Sequence, residues 1–111
     1  GDRRAYQMDA PNIREAVKEC LLDEAEGADA LMVKPAMAYL DVIRAVKETT
    51  LLPLAAYNVS GEFSMVKVMA REGLADEGLL VRENLLAIAR AGADMIITYH
   101  GEEAVREGWL K

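Results

Sequence analysis

Helical stripes alternate with short apolar runs along the chain, and that alternation limits the fold more than any other feature. Asn12 can cap a helix whose face carries Ile13, Val17, Cys20 and Leu21, with Glu15 three residues after the cap and Gly27 to end it. Residues 30–34 then form an apolar run closed by a lysine, the pattern of a short strand buried on both sides. Tyr39, Val42, Ile43 and Val46 give a second stripe, and residues 53–59 (PLAAYNV) a second run. A helix follows through Phe63, Val66 and Met69 or Ala70 and stops at Gly73. Asp76 caps a longer one carrying Leu80, Leu85 and Ile88, closed by Gly92. Residues 94–99 (DMIITY) make a third run, and a last short helix carries Trp109 as its anchor. Residues 1–11 have no clear period and read as a loop. This order predicts an α/β fold of about three parallel strands joined by right-handed crossovers with flanking helices.

The three strands share a property at their carboxyl ends. Lys34 closes the first, Tyr57, Asn58 and Ser60 follow the second, and Tyr99 closes the third. An internal echo, EGADALMVKP (26–35) against AGADMIITYH (91–100), aligns Lys34 with Tyr99. Parallel α/β proteins bind and react at that edge, where loops converge. The bulk composition narrows the partners. A net charge of −6 argues against nucleic acid or an anionic membrane. One cysteine and one histidine exclude an internal disulfide and a multi-thiolate or zinc-type ligand spacing. No stretch approaches a membrane span and nothing at the N-terminus resembles a signal peptide, so a soluble cytoplasmic location is the default expectation.

Lys34 has two readings. One is a strand-end lysine reaching solvent. The other is an amine that forms a Schiff base with a carbonyl substrate, which needs the neutral form, and Met32, Val33, Pro35 and Met37 around it disfavour the charged one. Pro35 also keeps Lys34 out of the helical region. Ser60 lacks a nucleophile's surroundings and fits a hydrogen-bonding role. The acidic run Glu15, Glu19, Asp23, Glu24 and Glu26 reads as a wet helix face.

Taken together, GDRRAYQMD, ADALMVKPAMAYLD, PLAAYNVSGEFSM and RAGADMIITYH resemble the carboxyl-terminal part of the porphobilinogen synthase (delta-aminolevulinic acid dehydratase) family, over nearly the whole chain. The resemblance implies a TIM barrel and the condensation of two 5-aminolevulinate molecules to porphobilinogen in haem and chlorophyll biosynthesis. It implies that Lys34 is the Schiff-base lysine and that Ser60 and Tyr99 bind that substrate's carboxylate. It also implies that Tyr57 lies against the substrate and that Arg3 and Gln7 contact the second substrate. It implies a zinc or magnesium site outside this chain, a possible activating magnesium at Glu19, and a family homo-octamer. A TIM barrel takes eight strand–helix units and about 250 residues, so residues 1–111 read as part of one barrel domain, with the second active-site lysine expected upstream. By itself such a piece is expected to be inactive, and Lys67 is the first residue to examine if it is not. The competing reading is a small non-catalytic α/β ligand-binding or assembly module.

Overall fold

A computed structural model describes residues 12–111. The elements follow one another as α1 (Ile13–Ala25), β1 (Leu31–Val33), a 3-10 turn (Met37–Tyr39), α2 (Leu40–Thr49), β2 (Leu54–Asn58), α3 (Ser60–Arg71), α4 (Glu77–Ala91), β3 (Met95–Thr98) and α5 (Gly101–Arg106). The strands form one parallel sheet in the order β1-β2-β3. Each is shorter than the apolar run that predicts it.

The caps form as expected. Asn12 accepts from the Glu15 N–H at 3.2 Å and Asp76 from the Leu79 N–H at 3.0 Å, so each side chain satisfies a first-turn donor. Gly92 ends α4 at φ 128°, a conformation that favours glycine. Two residues on, Asp94 accepts from the Leu54 N–H at 2.9 Å and takes the Lys47 ammonium at 2.7 Å. That carboxylate ties α2, β2 and β3 together at the amino ends of the strands.

The sheet has two unlike faces, because side chains alternate along a strand. The register pairs Leu31 with Leu54 and Val33 with Ala56, and Ala56 in turn with Ile96. These residues join Val42, Ile43, Val46, Val66, Val81, Leu85 and Ile88 of the helices in the core. The other face carries Met32, Ala55 and Met95 at one level. Met95 and Ile97 on it are exposed. Burial on both sides, as read for the first strand, therefore gives way to a sheet covered by helices on one side. The α1 stripe is also corrected. Ala16, Cys20 and Asp23 are the buried positions, while Ile13 and Leu21 are exposed, because only this narrow stripe is covered where the helix packs beside α2. Trp109 does anchor the end of the chain. It packs against the core over Gly78, where an added Cβ would lie 2.5 Å from the indole nitrogen.

Candidate functional site

Lys34 stands where β1 runs out. Val33 is the last paired residue, and Pro35, which has no N–H, cannot continue the ladder. The Lys34–Pro35 peptide is cis. One register step beyond Val33–Ala56 brings Lys34 level with Tyr57, and Tyr57 pairs with Ile97. Tyr99 lies two steps further out on the same face. The echo that aligned Lys34 with Tyr99 is thus offset by two residues, which preserves the face because the side-chain period is two. The Lys34 Nζ is 6.0 Å from the centroid of the Tyr57 ring.

The two tyrosines meet. Their hydroxyls are 3.0 Å apart and their rings 6.3 Å apart at 44°. Tyr57, Ile97, Thr98 and Tyr99 line a shallow open pocket on the face that carries Lys34. The hydrogen bond between the two hydroxyls raises the Tyr57 pKa, so the Tyr57 phenol is neutral near pH 7. Ser60 begins α3 just past the β2 tip and is exposed. Among the described residues no side chain caps that helix, so first-turn N–H donors stand beside the Ser60 hydroxyl. Lys34, Tyr57 and Tyr99 therefore share one open face, with Ser60 at the same edge. Arg3 and Gln7 lie outside the described residues.

Beneath this edge runs a buried polar chain that the sequence reading did not pick out. Glu62, 6% exposed, accepts from the Met37 N–H at 2.8 Å and from the Asn58 amide at 2.6 Å. The Asn58 carbonyl oxygen accepts from the Thr98 hydroxyl at 2.8 Å, and Thr98 Oγ1 accepts from the His100 N–H at 3.1 Å. One connected set of bonds so joins the loop after β1, the tip of β2 and the tip of β3. The signal in the sequence is faint: a glutamate four residues after an asparagine, across a strand–helix joint.

Behind Tyr99 the Phe63 ring stacks on His100 at 4.6 Å and meets Tyr99 edge-on at 5.7 Å. His100 is 1% exposed, and neither ring nitrogen has a hydrogen-bond partner among the described residues. Burial, helped by the Lys67 charge, pushes its pKa below the usual imidazole range. Lys67 bridges Glu77 at 2.8 Å and Glu103 at 2.7 Å, and those carboxylates raise its pKa. It is a protonated clasp between α3, α4 and α5, which makes it a poor choice for a second imine-forming amine. Burial, reinforced by Asp23, Glu19 and Glu24, pushes the Cys20 thiol up to about 11. Glu19 lies on α1, and among the described residues no group of three or more histidine, cysteine or acidic side chains is placed to hold a metal ion. Among them, too, no helix is long and apolar enough to cross a membrane.

Comparison with known proteins gives the following similarities. The family model described as delta-aminolevulinic acid dehydratase matches residues 1–107. The delta-aminolevulinic acid dehydratase of Synechococcus elongatus is 61% identical over 99% of this chain and 33% of its own length. That of Escherichia coli is 58% identical over 89% of this chain and 31% of its own. The chain thus spans about a third of the length of the curated relatives it matches. A crystal structure of delta-aminolevulinic acid dehydratase (porphobilinogen synthase) from Toxoplasma gondii, in complex with the reaction product porphobilinogen, superposes with a TM-score of 0.89 and 47% identity. It covers 96% of this chain and 30% of the other.

Proposed function

The chain belongs to the delta-aminolevulinic acid dehydratase family, and from that premise we propose that it carries the Schiff-base subsite of an enzyme condensing two 5-aminolevulinate molecules into porphobilinogen. Its three parallel strands and their helices are part of a TIM barrel, and residues 12–111 are read as belonging to one such domain. In the proposed reaction the Lys34 amine attacks the C4 ketone of one substrate and expels water. The iminium it forms draws electrons from the neighbouring carbon and activates it towards the second substrate. Carbon–carbon and carbon–nitrogen bonds then join the two molecules. Overall two waters are lost, and Lys34 is freed when the amine of the product ring replaces it. The Tyr99 and Ser60 hydroxyls and the first-turn N–H groups of α3 receive the carboxylate of the imine-bound substrate, and Tyr57 borders it. Arg3 and Gln7 are assigned to the second carboxylate.

The observation that carries the reading is the convergence on one open face, at the carboxyl edge of the sheet, of an amine at the tip of β1 and a hydroxyl pair from β2 and the end of β3. Among the described residues no cluster of three or more ligating side chains fits the zinc or magnesium that the reading expects, and no step is routed through it. Glu19 remains assigned to an activating magnesium. A cytoplasmic homo-octamer accompanies the proposal.

The test is turnover of the complete enzyme. Lys34→Ala is expected to abolish porphobilinogen formation. Lys34→Arg is expected to do no better, because the guanidinium stays protonated and forms no imine. Substantial turnover in either variant would remove Lys34 from the chemistry, and with intact substrate binding it would favour a non-catalytic binding role for this edge.

A further inference from the structure

We propose that Glu62 is a positioning residue for Lys34, an inference that rests on the Schiff-base reading above. Lys34 is held from one side by the β1–β2 ladder, which ends at Val33–Ala56. From the other side two bonds hold the segment that follows it. The Ala36 N–H donates to the Tyr57 carbonyl at 3.0 Å, and the Met37 N–H donates to Glu62 Oε2 at 2.8 Å. The second of these depends on one side chain from a different element, α3.

That side chain is itself fixed. Glu62 Oε1 accepts from Asn58 Nδ2 at 2.6 Å, Asn58 is 1% exposed, and its Oδ1 accepts from Thr98 at 2.8 Å. Glu62 therefore sets the segment after Lys34 against the tips of β2 and β3, where Tyr57 and Tyr99 lie. Both carboxylate oxygens are engaged by donors of the chain and the group is buried, so its part is geometric and not proton transfer to substrate. Charge-assisted bonds in a site shielded from water are short and directional, which suits a clamp.

The expected consequences separate positioning from mere folding. Glu62→Ala leaves two buried donors unpaired and frees the segment at Met37. Glu62→Asp keeps the charge but is one methylene short of spanning both donors. Glu62→Gln keeps the length: its oxygen serves Met37, its nitrogen donates to Asn58 once that amide is flipped, and the turned Asn58 nitrogen meets Thr98 Oγ1.

The experiment is single-turnover imine formation between the complete enzyme and 5-aminolevulinate, quenched with borohydride and read by mass, beside the affinity of the initial non-covalent complex. Misplacing the amine is expected to slow imine formation in Glu62→Asp, and in Glu62→Ala where it folds, on the order of 10- to 100-fold. Initial affinity stays unchanged, and Glu62→Gln restores most of the rate. A wild-type rate in folded Glu62→Asp overturns the inference, as does a Glu62→Gln rate as low as that of Glu62→Asp. If the wild type forms imine and the Glu62 variants do so equally fast, the Schiff-base reading survives and the positioning role falls. If the wild type forms none, both fall.

Discussion

Replacing Tyr99 by phenylalanine removes one oxygen, and the structure sets two different sizes for what is lost. Among the described residues the Tyr99 hydroxyl bonds to the Tyr57 hydroxyl, at 3.0 Å. Tyr99 is 58% exposed, so water can take the place of the missing partner. A neutral bond so exposed contributes little to stability. In the proposed complex the same hydroxyl donates to the substrate carboxylate, a bond worth about 1.5–3 kcal/mol. At roughly 1.4 kcal/mol per decade that is about one to two decades of affinity. Tyr99→Phe is therefore expected to leave the urea midpoint of the complete enzyme almost unmoved while weakening 5-aminolevulinate binding about 10- to 100-fold. Tyr57→Phe is expected to weaken it less, since the proposal places that hydroxyl beside the substrate without anchoring it. Urea unfolding and direct titration of substrate give the two numbers. A lowered midpoint with unchanged affinity would refute the reasoning, because it would make the tyrosine pair a structural contact.

Acid should unfold this protein partly through His100. Burial holds its pKa below the unfolded value of about 6.5, so the unfolded chain binds the extra proton first and stability falls as pH drops below about 6.5 towards the folded value. In His100→Phe that part of the pH dependence should vanish from urea midpoints measured between about pH 5 and 8, and an unchanged slope would contradict it. The Cys20 thiol, pushed up to about 11 and 2% exposed, should resist alkylation near pH 8 in the folded protein and react on addition of urea. Rapid native labelling, followed by mass, would contradict that.

Local physics made much of this structure readable. Asn12, Asp76 and Gly92 act through bonds or dihedrals that depend on a few neighbouring residues, and each does what its type and place predict. The strand runs were legible because apolar β-sequences between helix stops have few alternatives, although end residues such as Asp94 and Val59 fall outside the strands. That Lys34, Tyr57 and Tyr99 would gather at one edge followed from parallel topology. Their relative heights did not, because register is fixed by pairing between strands: the echo placed Lys34 beside Tyr99, and the ladder places it beside Tyr57.

Glu62 was illegible for a related reason. A glutamate in a first helical turn is ordinarily exposed, and only the arrival of Met37 from a loop 25 residues away makes it a buried acceptor. Lys67 likewise looked available until α4 and α5 brought Glu77 and Glu103 to it. On α1, apolar residues wind around enough of the helix that periodicity alone could not choose Ala16 over Ile13 as the packed position.

Lys34 is the residue proposed to bond to substrate. The most direct test is to incubate the complete enzyme with 5-aminolevulinate, reduce with borohydride, digest, and sequence the modified peptide by mass spectrometry. The expected result is a stable adduct on Lys34 within the peptide that runs through LMVKPAM, and none on Lys67. A trapped adduct on another lysine of this chain with Lys34 unmodified, or no adduct in an enzyme that is making porphobilinogen, would contradict it.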